Sequence, residues 1–190
     1  LTAEYMKPIM DLQGSKLGFK SDKAYSEEVV KNCLIEAVLT GLQPVGNQFN
    51  IIAGNMYATK EGLGYLLQTN PTLAGLSYDI VPELPRMSQE KKSAAVLMKI
   101  NWKIGNETGS KEIDFAVKLN DYMGTDAVIG KATRKARHWL YTRLTGSEIG
   151  EGDIGDLDGK LQPEKEIKQA QTIEETELER GKKIIANWKT

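Results

Sequence analysis

Strict alternation of apolar and polar residues marks two neighbouring segments in the middle of the chain. In AAVLMKINWKI every second residue up to Ile104 is apolar, and KEIDFAVKL repeats the pattern a few residues later. A period of two is typical of a strand with one buried face. We therefore predict an antiparallel hairpin in which Ile104 lies opposite Lys111, because this pairing aligns the two apolar faces. The same register sets Lys103 opposite Glu112.

A shorter hairpin is predicted upstream, where QFNIIA and MYAT flank Gly54-Asn55, a dipeptide suited to a two-residue turn. Placing Ala53 opposite Met56 gives this hairpin one apolar face. That face carries Phe49, Ile51, Met56 and Ala58. A short helix, KEGLGYLLQ, begins immediately afterwards at Lys60. The run LSYDIV predicts one more strand, which the prolines after it end.

Helical spacing marks two longer segments. In EEVVKNCLIEAVLT the apolar residues recur every three or four positions, with Ser26 as a cap and Gly41 as a stop. Cys33, the one cysteine of the chain, falls inside this helix, where we expect it to be a partly buried filler. A second helix is predicted over 126–145 after a cap at Thr125. At about 1.5 Å per residue it would be about 30 Å long.

These elements predict an α+β protein in three parts: an N-terminal arm over 1–25, a core over 26–150 and an acidic linker with a C-terminal segment over 151–190. The first twenty residues have the composition of a loop. The third part opens with GEGDIGDLDGK, a glycine and aspartate linker, and carries ten acids and seven bases. The net charge of the whole chain, −1, does not by itself suggest a nucleic-acid partner.

The composition, 40% apolar and 27% charged over 190 residues, is that of a soluble globular protein. No apolar run approaches the roughly 18 residues of a membrane span, and the first residues lack the pattern of a signal peptide. A lone cysteine cannot staple the fold, which fits a reducing compartment. We therefore expect a cytoplasmic protein without a membrane partner.

Catalytic and metal sites find little support. One histidine excludes the zinc motifs that need two, and His138 lies among lysines and arginines, which favours a surface or phosphate-contact role. A metal-dependent nuclease stays as a less favoured alternative. Its strand-borne candidates are Asp79, Glu83, Glu112, Asp114 and Lys118. The spacing from Asp114 to Lys118 does not match a nuclease centre, and cross-strand pairing explains the acids more simply.

The long helix carries the most informative charge pattern. Its apolar stripe consists of Ile129, Ala132, Thr133, Ala136, Leu140 and Leu144. The opposite side carries Lys131, Arg134, Lys135 and His138, with Arg137 and Tyr141 between. From residue 126 to 145 there are five cations and one acid, and no glutamate lies three or four positions from the ridge to neutralise it. Such a ridge suits a phosphate backbone.

The order of these pieces resembles the phage single-strand annealing proteins of the RecT/Redβ family. The resemblance rests on CLIEAVLTGLQPVGNQFNIIAGNMYATKEGLGYLL and, later, DAVIGKATRKARHWLYTRLTG. In that family a helix ends in a glycine-leucine-x-proline turn, here GLQP, and a hairpin and a K-x-G-x-x-x-L helix follow. The resemblance covers roughly residues 28–146. IIAG differs from the strand end of many members, which leaves the subfamily open.

The resemblance implies a curved antiparallel β-sheet packed by helices, assembled into homo-oligomeric rings or filaments. Such a protein binds single-stranded DNA and anneals complementary strands without ATP or a cofactor, in phage-type recombination inside a bacterial host. Its partners would be single-stranded DNA and the annealed duplex, with a host single-strand-binding protein and a phage exonuclease as further candidates. The expected DNA-binding residues are Lys60, Lys99, Lys103, Lys131, Arg134, Lys135, Arg137, His138 and Arg143.

Aromatic side chains offer stacking platforms for bases, or else belong to the core. These candidates are Tyr57, Tyr65, Trp139 and Tyr141. Lys103 either contacts DNA or pairs with Glu112. A non-enzymatic assembly or scaffold protein, whose basic helix meets an acidic neighbour, stays open as a second class of function.

Overall fold

The computed structural model of the protein describes residues 3–15, 17–90, 92–120, 123–152 and 154. Within these ranges the helices are α1 (Ala3–Met10), α2 (Glu27–Thr40), α3 (Lys60–Thr69) and α4 (Thr125–Thr145), with a 3₁₀ turn over Pro71–Leu73. The strands are β1 (Lys20–Ser21), β2 (Phe49–Ile52), β3 (Asn55–Ala58), β4 (Ser77–Pro82), β5 (Arg86–Met87), β6 (Ser93–Ile104) and β7 (Glu107–Lys118).

The long hairpin of β6 and β7 is confirmed, but its predicted register is wrong. Ile104 lies opposite Glu107 instead of Lys111, and Lys103 lies opposite Thr108 instead of Glu112. A two-residue turn closes the hairpin, and its Gly105 has a φ of +56°, which glycine adopts readily. Because the register differs by four residues, an even number, the apolar faces stay aligned.

The short hairpin of β2 and β3 is also confirmed, with its turn one residue earlier than predicted. Ala53 and Gly54 form the turn, both with positive φ, and Ile51 lies opposite Met56. The side chains of an upstream loop hold this turn: Asp22 accepts from the Ala53 amide, and the Tyr25 hydroxyl accepts from the Gly54 amide at 2.8 Å. These contacts stabilise a left-handed backbone at Ala53, which a non-glycine residue seldom adopts.

Other predictions need smaller changes. Helix α2 spans the predicted segment, although the Ser26 side chain makes no capping hydrogen bond. Cys33 is buried there, and burial raises the pKa of its thiol. The first residues, predicted to be loop-like, form α1, and the predicted RMSQEKK loop contains β5. Strand β4 covers the predicted LSYDIV run and includes Pro82.

The α+β class is confirmed, and the strands form two sheets where one curved antiparallel sheet was expected. One sheet has the order β1-β2-β3, with β1 and β2 parallel. In the other, β6 pairs antiparallel with β4 and β5 on one side and with β7 on the other. Helix α4 packs against β4, β6 and β7 and also against α3. It is therefore covered on two sides.

The chain beyond α4 continues across the core for a few residues. Gly150 accepts from the Ala58 amide at 2.8 Å, and the Gly152 amide donates back to the Ala58 carbonyl at 3.2 Å, so this segment adds a bridge beside β3. Residues 151 and 152 thus lie on the core, two positions past the predicted boundary at 150. The other predictions for 151–190 fall almost entirely outside the described residues. No helix within the described ranges is long and apolar enough to cross a membrane.

Candidate nucleic-acid interface

Arg134, predicted to lie on an exposed ridge, is buried. Its side chain is 5% exposed, and its Nε donates a hydrogen bond to the Glu151 carboxylate. Because α4 packs against a sheet on one side and α3 on another, its buried surface is wider than the predicted apolar stripe. A buried cation needs a paired anion, and Glu151 supplies it from beyond the helix. The prediction that Arg134 lies on an exposed ridge is wrong.

Arg137 also has a structural role. Its Nη1 donates to the backbone carbonyl of Lys60 at 2.6 Å and lies over Gly64, where an added β-carbon would come within 2.8 Å of it. The glycine thus makes room for the guanidinium between α3 and α4. Arg137 therefore fastens the two helices together instead of projecting to a phosphate.

The start of α3 is fixed by Thr59, which is fully buried. Its hydroxyl donates to the Asn47 carbonyl at 2.6 Å and accepts from the Gly62 amide at 3.1 Å, as an N-cap does. A β-carbon at Gly62 would overlap the Gln48 carbonyl oxygen. The glycines of the KEGLG sequence are thereby explained by close packing.

Lys60 lies at the edge of a cleft of about 490 Å³. Lys20 and Lys131 line the same cleft, as does Glu61, whose carboxylate is 3.7 Å from the Lys60 amine. Sequence reasoning missed Lys20, because it reaches this position through the parallel pairing of β1 with β2, which no local pattern reveals.

A longer basic surface lies between α4 and β7, which we call the α4–β7 groove. It consists of two hollows of about 470 and 260 Å³ that share Lys135 and Glu151. The first is also lined by Phe115, His138, Trp139, Thr142 and Arg143. The second is also lined by Val117, Lys118, Lys131 and Arg134. The groove therefore gathers four of the predicted DNA contacts that remain at least partly exposed: Lys131, Lys135, His138 and Arg143.

Two of these cations are well placed for an outside anion. Within the described ranges, neither Lys135 nor Arg143 forms an ion pair, and Arg143 is exposed. His138 is more constrained, because its Nε2 donates to the Ile149 carbonyl at 2.8 Å. Lys118, on the last position of β7, belongs to the groove although the sequence placed it only among nuclease candidates.

Lys99 and Lys103 lie on the other face of the sheet, away from α4, and do not join the groove. Their neighbours along β6, such as Met98 and Ile100, point toward the core and are fully buried. Lys99 contacts Glu83 at 2.9 Å and Glu112 at 3.9 Å. Its hydrogen bond to Glu83 raises the pKa of the Lys99 amine. This side of the sheet is therefore partly neutralised.

The four predicted stacking residues separate into different environments. Tyr141 is buried, and its hydroxyl accepts from the Asn70 side chain at 3.1 Å. Tyr57 is covered by Gly150 and Gly152, and the hydroxyl of Tyr65 accepts from Gln43 at 3.4 Å. Trp139 packs edge-on against Trp102, with ring centres 5.8 Å apart, yet it also lines the α4–β7 groove. It is the candidate that the groove retains.

Three of the four carboxylates of the nuclease alternative have basic partners. Asp114 forms an ion pair with Arg86, and the hydrogen bond between them raises the pKa of the arginine. Glu83 and Glu112 both face Lys99. Among the described residues no group of three or more histidine, cysteine or acidic side chains could hold a metal ion.

Comparison of the chain with protein-family models, curated proteins and solved structures gave no match.

Proposed function

We propose that this protein binds single-stranded DNA in the α4–β7 groove and anneals complementary strands as a homo-oligomer, in the manner of the RecT/Redβ family. The reaction needs no covalent step. It requires that phosphate repulsion be reduced and that bases remain accessible to a second strand. A groove that is lined by cations and by aromatic rings meets both requirements.

The observation that carries the proposal is the alignment of cations along one wall of the groove. Lys131, Lys135 and Arg143 lie on α4, and the twelve residue steps from Lys131 to Arg143 span about 18 Å at 1.5 Å per residue. Lys118, at the end of β7, lines the same hollow as Lys131 and Lys135. Positive charge spread over this length suits a polyanion better than a single phosphate.

The aromatic groups of the groove support a single strand as the ligand. Phe115 projects from β7 and Trp139 from α4 into the same hollow, where Lys135 and Arg143 also lie. Unpaired bases stack on such rings, and each stacked base contributes about 1–3 kcal/mol. A duplex would keep its bases out of reach, so this combination favours single-stranded DNA.

Self-association is supported by apolar side chains that the fold leaves in solvent. On α2, Leu39 is 82% exposed and Val38 59% exposed. Between β4 and β5, Leu84 is 79% exposed, and on β5 Met87 is 55% exposed. Exposed apolar surface of this kind marks protein contacts, and two different patches suit a head-to-tail assembly.

Annealing can be measured with two complementary oligonucleotides that carry a fluorophore and a quencher. We expect the protein to accelerate quenching above the spontaneous rate without ATP. The double variant Lys135→Glu/Arg143→Glu should lose most of this acceleration. Lys103→Glu/Lys111→Glu changes the net charge equally on exposed positions of β6 and β7 outside the groove, and should retain it.

The same pair of variants separates annealing from a scaffold function. A protein that neither binds a fluorescent oligonucleotide at low salt nor responds to either double variant would contradict the proposal and favour an assembly protein with an acidic protein partner. Cleavage of labelled DNA in the presence of magnesium or manganese would instead favour the nuclease alternative.

A further inference from the structure

The cleft at the start of α3 is joined to the α4–β7 groove. Lys131 and Arg134 line both this cleft, of about 490 Å³, and the smaller hollow of the groove, of about 260 Å³. Both residues lie on α4, and Ala127 and Gly130 of the same helix form another part of the cleft wall. The two surfaces therefore meet at Lys131, and a ligand that follows the groove towards the start of α4 reaches the cleft.

The cleft carries an excess of positive charge. Lys20, Lys60 and Lys131 line it, and Glu61 is the one acidic side chain among its described lining residues. The pair of Lys60 and Glu61 is weak, because the two charges are 3.7 Å apart and the side chains are 43% and 48% exposed. Lys20 is exposed and forms no ion pair within the described ranges. A phosphate can therefore replace Glu61 at Lys60, and it can bind Lys20 without displacing an acid.

The backbone that carries the cleft residues is held in place by the core. Strand β1 carries Lys20 and pairs with β2, and the buried rings of Phe19 and Phe49 stack beside this pair with their centres 5.0 Å apart. Asn47 also lines the cleft, and its carbonyl accepts a hydrogen bond from the buried Thr59 hydroxyl at 2.6 Å. A preformed surface of this kind loses little conformational entropy when it binds a ligand.

We propose that the cleft is a second segment of the DNA-binding surface, in which Lys20 and Lys60 bind phosphates of the same strand that occupies the α4–β7 groove. This inference rests on the proposed function. Each further phosphate that a cation neutralises adds to the affinity for a polyanion. A continuous surface therefore favours a strand that is long enough to cover both segments. Lys20, which no local sequence pattern indicated, becomes a DNA contact.

Lysine acetylation followed by peptide mass spectrometry tests this path. The ligand is an oligothymidylate of about 16 nucleotides, at the upper end of the site sizes of single-strand grooves, and it cannot pair with itself. At a saturating concentration, acetylation should slow at least about threefold at Lys20, Lys60 and Lys135, and the three protections should rise together in one titration. Lys103 and Lys111, which lie outside both surfaces, should react at an unchanged rate.

Fluorescence anisotropy with the same labelled strand gives a second test. Lys20→Glu/Lys60→Glu should bind about 10-fold more weakly at low salt, whereas the matched control Lys103→Glu/Lys111→Glu should change the affinity less than about twofold. Lys20→Gln/Lys60→Gln should lower the slope of log affinity against log salt by about 1.4, which is two contacts of about 0.7 each. An unchanged affinity and an unchanged slope in the cleft variants would overturn the inference.

The footprint separates this inference from the proposed function. Protection of Lys135 without Lys20 and Lys60 would show that the strand stops in the groove, so the inference fails while the proposed function stands. Protection of the two cleft lysines only at higher DNA concentrations than Lys135 would show a separate site and would also overturn the single path. Protection of the cleft lysines without Lys135 would refute the groove assignment and the path together, as would an absence of protection at all three.

Discussion

The α-carbon of Gly62 lies against the backbone carbonyl of Gln48, so close that a β-carbon there would overlap the oxygen. The Thr59 amide donates a hydrogen bond to the same Gln48 carbonyl at 3.1 Å. This backbone hydrogen bond holds the carbonyl close to Gly62. The junction between the short hairpin and α3 therefore requires glycine at position 62.

We expect Gly62→Ala to lower the free energy of unfolding by about 2 kcal/mol or more, since the backbone must shift to relieve the overlap. Urea denaturation followed by circular dichroism measures this change. Gly130→Ala is the matched control, because Gly130 lies inside α4 with open space around it. Alanine there should stabilise the protein by about 0.5–1 kcal/mol. Similar effects at both positions would contradict the close contact.

The buried pair of Arg134 and Glu151 gives a second prediction. Arg134→Met leaves a partly buried carboxylate without its cation and should cost about 3 kcal/mol, as should Glu151→Met for the opposite reason. The double variant should be less destabilised than the sum of the two, by at least about 1 kcal/mol. Denaturation of the four proteins completes the cycle. Additive effects would show that the pair does not interact.

The periodicity of the sequence was sufficient for the elements and their faces but not for their registers. Alternation in β6 and β7 identifies which residues face the core. It does not identify the register, because a shift of two or four residues leaves every side chain on the same face. The position of the turn, at Gly105, decides among these registers. The correct pairing is distinguished only by the turn residue that adopts a left-handed backbone, which is Gly105. Several glycine and asparagine residues in this part of the sequence could adopt that conformation, so the sequence alone did not identify the turn.

The predicted ridge on α4 shows a different limit. Helical spacing correctly identified a cation-rich helix, but the acid that neutralises Arg134 lies seventeen positions away, at Glu151, where no helical spacing would find it. Similarly, Arg137 points toward the backbone of α3, a contact across 77 positions. Long-range packing thus removed two cations from the predicted surface, and it added Lys20 to one cleft and Lys118 to the groove.

A third prediction concerns the number of phosphate contacts. Each lysine that neutralises a phosphate of single-stranded DNA contributes about 0.7 to the slope of log affinity against log salt. Lys135→Gln should therefore reduce this slope by about 0.7, and Arg143→Gln should reduce it by a similar amount. Lys103→Gln, on the other face of the sheet, should leave it unchanged. Titrations at four salt concentrations between about 50 and 300 mM measure the slope.

Stability at high pH provides a fourth prediction, from Tyr25. Burial and the hydrogen bond that its hydroxyl donates to Asp22 at 2.6 Å raise the pKa of Tyr25 from 10.0 to about 12. Since the folded state holds this proton more tightly, the stabilisation is fully present below pH 10 and is lost as the pH rises from 10 to 12. Tyr25→Phe should be less stable at neutral pH and should lose less stability over that interval. Urea midpoints at several pH values compare the two proteins, and parallel pH profiles would contradict the assignment.

The apolar patches on α2 and beside β4 make the last prediction, which concerns the geometry of assembly. Leu39→Glu and Leu84→Glu should each reduce self-association, measured by sedimentation velocity, because each places a charge in a contact that must lose water. Gln68→Glu, on an exposed position of α3, should have no effect. If the patch on α2 of one subunit contacts the patch beside β4 of the next, a mixture of the two leucine variants still holds one intact pair of patches. That mixture should form dimers although neither variant does so alone. A contact in which each patch meets its own copy gives no such rescue in the mixture, so the mixture decides whether the assembly can extend head to tail.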